Sequence, residues 1–274
     1  MKPLIALIML WSAPALAFVP TLTCTESGDY ACQVNEVPKQ VKWKSLCINW
    51  YMNEAGTKSI PGAADGTAGQ GLEDTIKASF ETWNAVTCQD LKLVYGGRTD
   101  DDRAATDGKA NIVVFRDDDW RFASKTAFAI TSVTYNPDTG LIVDADIELN
   151  AFYHTFTIGD QDVNIDVQNT ITHEVGHFVG LDHTPVPNAT MVASAAVGET
   201  LKRSLERDDI EGVCSIYPTD ARTDACSTPP PHVKTDDTAD SGCCTTAPGS
   251  PSRTPIYAIL AGIGLIILRR RARA

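Results

Sequence analysis

Basic charge is scarce in this chain. Six of its 23 Lys and Arg (Lys2, Arg253, Arg269, Arg270, Arg271 and Arg273) lie in terminal segments that carry no acid, which leaves 17 against 35 Asp and Glu. A surface of that sign disfavours a nucleic-acid partner, because phosphate binding needs clustered Lys and Arg. The excess acid serves solubility. No C-x-x-C pair occurs, so a structural zinc site built on paired thiolates is not expected. Nor is there a long apolar run. The C-terminal one, Ile256 to Leu268, has thirteen residues, or about 20 Å of helix against the roughly 30 Å of a membrane core. Histidine is rare as well: five in 274 residues, three of them within one stretch of eleven.

That stretch is His173-Glu174-Val175-Gly176-His177-Phe178-Val179-Gly180-Leu181-Asp182-His183. His173 and His177 are four apart, so on a helix they share one face. Two neutral imidazoles there can bind one metal ion, and Glu174 is placed to hold and deprotonate a metal-bound water. Gly180 lets the chain leave the helix, since glycine takes positive φ without a Cβ clash. The turn then returns His183 as a third ligand. Three protein ligands with one open position is the catalytic zinc pattern; a structural site is closed by four.

The stretch resembles the signature of the metzincin metalloproteases, H-E-x-x-H-x-x-G-x-x-H followed by a Met-turn, at every fixed position. Within that clan it is most similar to the matrixins: Met191 follows His183 by eight residues. Thr184 stands where matrixins usually have Ser, and Val192-Ala193 where they usually have Tyr-Pro. The second difference alters residues that line the family's main specificity pocket, so pocket preference is not carried over. The resemblance implies that Met191 forms a hydrophobic floor beneath zinc, and that an extended substrate pairs with an edge strand. It also implies structural Ca2+. The acidic runs Asp100 to Asp102 and Asp117 to Asp119, with Asp107, offer oxygen donors, but no ordered D-x-D-x-D-G loop is present and they read as solvated loops. The matrixin Pro-Arg-Cys-Gly motif is absent, so a cysteine-switch latency is not supported.

Both ends point to export. Residues 1–17 read as a signal peptide: Lys2, an apolar run from Leu4 to Trp11, and the small-x-small site Ala15-Leu16-Ala17. No cysteine follows that site, which argues against a lipoprotein signal. The eight cysteines fit an oxidising compartment. Cys47 with Cys88, Cys24 with Cys32, and Cys214 with Cys226 are the expected pairs. Residues 219–253 are rich in Thr, Ser, Pro and Asp and read as a disordered linker, with His232 solvated. Residues 254–274 join a short apolar helix to an arginine cluster. With Cys243-Cys244 upstream they resemble a MYXO-CTERM bacterial sorting tail, which implies a processing protease, a membrane contact through the tail and display on a Gram-negative type cell surface. Permanent insertion of the tail is the alternative.

Between the ends, residues 18–42 read as an N-terminal segment or short pro-region, and residues 43–218 as the matrixin-like domain. Strands are expected at Trp43 to Tyr51, Leu91 to Tyr95, Asn111 to Phe115, Ala127 to Tyr135 and Leu141 to Leu149. Helices are expected at Leu72 to Val86, after the N-cap Asp166, and within Leu201 to Tyr217. The expected fold is α+β, an α/β-type metzincin catalytic domain: a twisted, mixed five-stranded sheet, an active-site helix and a C-terminal helix. His154 lies in a loop and reads as structural or exposed. The function these readings favour is an exported zinc metalloendopeptidase acting on protein or peptide substrates, with Glu174 as base. The rival is a surface adhesion or binding protein that keeps zinc for stability, against which Glu174 argues, since a structural site needs no base.

Overall fold

A computed structural model describes residues 18–26, 31–60, 69–104, 110–219, 226–227, 229–232 and 264–270. The signal segment, Asp107, Cys243-Cys244 and most of the linker and tail lie outside the described residues. In chain order the elements are β1 (Val19–Pro20), β2 (Lys42–Trp43), β3 (Cys47–Asn53), α1 (Gly69–Asn84), β4 (Lys92–Thr99), β5 (Asn111–Phe115), β6 (Ala129–Tyr135), β7 (Leu141–Leu149), β8 (Phe156–Thr157), β9 (Ile165–Asp166), α2 (Val167–Phe178), β10 (Leu181–Asp182), a 3-10 turn (Leu201–Arg203), α3 (Arg207–Ile216) and β11 (Gly264–Arg270).

The main sheet runs β11-β6-β7-β5-β3-β4, with β2 also paired to β7. All of its pairings are parallel except β6 with β7. It therefore has seven strands where five were expected. The expected first strand is interrupted at Lys44 to Leu46: Trp43 pairs with Ile142, whereas Ile48 pairs with Leu93. The extra edge strand comes from the tail segment read as an apolar helix, which lies parallel to β6 from Gly264↔Ala129 to Arg270↔Tyr135. No helix among the described residues is long and apolar enough to cross a membrane.

Alternation along the strands places one set of side chains under α1 and α2. Ile48, Trp50 and Met52 of β3, Val113 and Phe115 of β5, and Ala145, Ile147 and Leu149 of β7 join Ile76, Phe80, Trp83, Ile171, Val175 and Phe178 in one core. Trp50 stacks on Phe80 with ring centroids 3.8 Å apart. The Trp83 indole N–H donates to Thr172 O at 2.9 Å, fixing α1 against α2. On the opposite face Asp144, Asp146 and Glu148 are buried too. Glu148 accepts from Arg116 Nε at 2.6 Å and from Arg121.

The N-terminal segment straps the domain. Val19 and Pro20 pair antiparallel with Asp182 and Leu181, and the side chain of Phe18 packs against Gly212 of α3. Two of the expected disulfides are corrected. Cys24 pairs with Cys32, but Cys47 pairs with Cys226 and Cys88 with Cys214. The reason is the sheet: Cys88 follows α1 and meets α3, leaving Cys47 to take the chain that returns after Pro218. The expected disorder of that returning chain is corrected in part. Pro229 is buried, Tyr51 Oη donates to Pro230 O at 3.0 Å, and His232, far from solvated, sits 3.2 Å from Asp101 Oδ2.

Candidate metal centre

The site is built on α2 and the turn after it. Asp166 caps α2 by accepting from Asn169 N at 2.7 Å, and Arg203 grips the same carboxylate through Nε at 2.9 Å and Nη2 at 2.6 Å. Val167, Ile171, Val175 and Phe178 turn one face into the core. The helix stops after Phe178. Gly180 has φ +98°, and a Cβ there would meet Val41 O at 2.2 Å, so backbone conformation and close approach both call for glycine. β10 then brings His183 back over the helix.

His173, His177 and His183 converge, with ligand atoms all within 4.8 Å of one another. His173 Nδ1 lies 2.6 Å from Thr190 O and His177 Nδ1 lies 2.9 Å from Leu181 O. A carbonyl only accepts, so each Nδ1 carries the hydrogen and each Nε2 keeps its lone pair. His173 Nε2 is buried without a partner, and His177 Nε2 and His183 Nε2 face each other at 3.1 Å. Burial and the neighbouring imidazole of His183 hold His173 and His177 well below the usual histidine range, and burial lowers His183 as well. Three converging imidazoles, two of them with oriented outer hydrogens, fit a zinc ion.

Glu174 is fully buried beside them. Its Oε2 accepts from Thr131 Oγ1 at 2.6 Å, while Oε1 has no protein partner. Burial pushes its carboxyl up to about 8, against its hydrogen bonds with Thr131. Met191 packs into the space above Gly176, where a Cβ would lie 2.1 Å from its sulfur. Met191 N and Thr190 N both donate to Asp209, at 3.0 and 2.8 Å.

Three contributors carried no sequence signal. Thr131 is an ordinary strand threonine, Asp209 reads only as part of a helix start, and Gly176 occupies a variable position of the motif. His154 lies apart from the cluster, half-buried, its Nε2 3.2 Å from Lys125 O and its ring against Phe128. In the acidic runs, Asp101 is taken up by Arg103 and His232, and Asp117 accepts from Thr57 Oγ1 and Lys58 N, both at 2.9 Å.

The family model described as Matrixin matches residues 49–218. Metalloendoproteinase 2-MMP of Arabidopsis thaliana is 28% identical over 104 residues, 38% of this chain and 27% of that protein. Neutrophil collagenase of Homo sapiens is 27% identical over 150 residues, 53% of this chain and 28% of that protein. Matrilysin of Homo sapiens is 32% identical over 83 residues, 30% of each chain. The chain thus spans about a third or less of the length of these curated relatives. The matched span holds the helix, the three histidines, Met191 and α3, and on that match the chain belongs to the matrixin family.

Proposed function

We propose that this chain is a zinc-dependent metalloendopeptidase that hydrolyses peptide bonds of protein substrates. One observation carries the reading: three imidazoles converge, with His173 Nε2 unpartnered, beside a buried carboxylate whose Oε1 is unpartnered. His173, His177 and His183 would hold the metal. Zinc bound there polarises the scissile carbonyl and lowers the pKa of water towards ~7. Glu174 Oε1 accepts the proton of the attacking water and later delivers it to the leaving amine nitrogen. Met191 and Gly176 close the floor beneath the imidazoles and exclude solvent there. The competing reading, zinc kept for stability alone, leaves a buried carboxylate with one unpartnered oxygen without a use.

In the same reading residues 1–17 are removed on export and residues 43–218 form the catalytic domain. Residues 254–274 act as a bacterial sorting tail, processed near Cys243-Cys244, with the product displayed at the cell surface. The outer edge of β6, beside Glu174, is where Gly264–Arg270 pairs. A peptide substrate would lie along that edge once the tail is gone. The test is Glu174→Gln in residues 18–232, which lack the tail strand. Zinc should stay near one per chain while cleavage of a mixed peptide library falls at least ~100-fold. Wild-type cleavage by the variant would sink the mechanism, and no zinc in the folded parent would sink the site.

A further inference from the structure

β6 turns Ala129, Thr131, Val133 and Tyr135 towards the helices, and the first, third and fourth of these sit in the apolar core. Thr131 is the exception on that face. It is fully buried, and valine would fill the same volume on the same strand. Its hydroxyl has one hydrogen and two acceptors in reach, Glu174 Oε2 at 2.6 Å and Glu174 O at 3.1 Å. The shorter contact, to Oε2, takes the hydrogen. Glu174 is fully buried, and Thr131 is the side chain among the described residues that bonds its carboxylate. One oxygen is therefore held, and the other, Oε1, is left open, as is His173 Nε2 on the preceding residue. The strand that makes this bond is itself fixed, paired with β7 along its whole length from Ala129↔Leu149 to Tyr135↔Ile142.

We propose that Thr131 is a positioning residue of the hydrolysis: its hydroxyl pins Oε2 of Glu174, so that the carboxylate cannot rotate and Oε1 alone faces the histidine cluster. The inference rests on the proposed role of Glu174 as the proton acceptor. Misplacing a reacting group by about 1 Å costs on the order of 100-fold in rate, and a hydrogen bond to a charged group is of similar weight. Thr131→Val should therefore lower kcat by about 10- to 100-fold, with KM and zinc affinity by chelator competition unchanged within about twofold. Thr131→Ser, which restores the hydroxyl, should recover kcat to within about threefold. In protein loaded with cobalt(II) in place of zinc, the visible absorption of the Val variant should shift as it does in Glu174→Gln, while the Ser variant matches the parent. Thr131→Ala is a second hydroxyl-free variant should the Val protein not fold. Wild-type kcat in a hydroxyl-free variant overturns the proposal, as does equal loss in the Val and Ser variants, which would indicate packing alone. Wild-type cleavage by Glu174→Gln would instead overturn the reading beneath it, so the two failures are distinct.

Discussion

At the scale of single residues, the convergence of the three histidines was legible because its information is local. Spacing alone places His173 over His177, and Gly180 announces the turn that returns His183. What stayed hidden were groups whose role depends on a distant partner. Thr131 reaches Glu174 across 43 positions, and Asp209 reaches Thr190 across 19. Asp146 is another such case. It alternates with apolar residues along β7, yet it is buried together with Asp144 and Glu148, and its Oδ1 accepts from Ile112 N at 2.9 Å. Burial, then the charge of Asp144, raise its carboxyl well above the usual range, against the Ile112 bond. The sign follows directly. The unfolded chain releases this proton near pH 4, whereas the folded chain holds it to higher pH, so stability falls as pH rises between the two values. Asp146→Asn keeps the acceptor for Ile112 N and removes the ionisation. It should stabilise the protein at pH 7, and the gain should vanish at pH 4. Urea unfolding at both pH values checks this; an equal difference at both would show that charge is not the cause.

At the scale of elements, the long periodic stretches were readable. Asn111–Phe115 and Leu141–Leu149 are strands at the expected bounds, and α1 and α2 lie where their apolar stripes fall. The departures occur where pairing outweighs pattern. The apolar run from Trp43 breaks because β7 takes Trp43 and β4 takes Ile48. Leu201 to Tyr217 splits into a 3-10 turn and α3, because Glu206 and Asp209 start a new helix with the Glu206 N–H on the Asp209 carboxylate at 2.9 Å. That start also reaches the histidine cluster. Asp209 accepts the N–H groups of Thr190 and Met191, and Thr190 O in turn orients the His173 ring. Asp209→Ala leaves three buried N–H groups without their acceptor. It should cost about 3 kcal/mol of stability, and weaken zinc binding by about 10- to 100-fold through His173. Equilibrium unfolding and chelator competition separate the two effects. Lost stability with unchanged zinc affinity would mean that α3 supports the domain without positioning the ligand.

At the scale of the whole molecule, composition misplaced the end of the folded unit. The Thr, Ser, Pro and Asp content after Pro218 cannot build a core of its own, and that reasoning is sound for an isolated segment. It fails at Cys226, Pro230 and His232, which dock on a sheet that already exists. Cys226 crosses to Cys47 at the start of β3, Pro230 O accepts from Tyr51 Oη, and the His232 ring lies on Tyr51 at 5.4 Å and beside Asp101. Pairing Cys47 from sequence required knowing which cysteine the tertiary fold leaves free, and linear spacing does not carry that. With Cys88–Cys214 already closed, this cross-link shuts a loop of about 54 residues and constrains the unfolded chain by about 4 kcal/mol in the loop-entropy account. Two fragments isolate it, 18–218 and 18–232, both retaining Cys88–Cys214. Under oxidising conditions the longer should melt about 10 °C higher. With a reductant present, most of that gap should close. A gap that survives reduction would assign the effect to the Tyr51, Asp101 and His232 contacts instead of the cross-link. Equal melting of the oxidised fragments would return the boundary to Pro218, where composition alone places it.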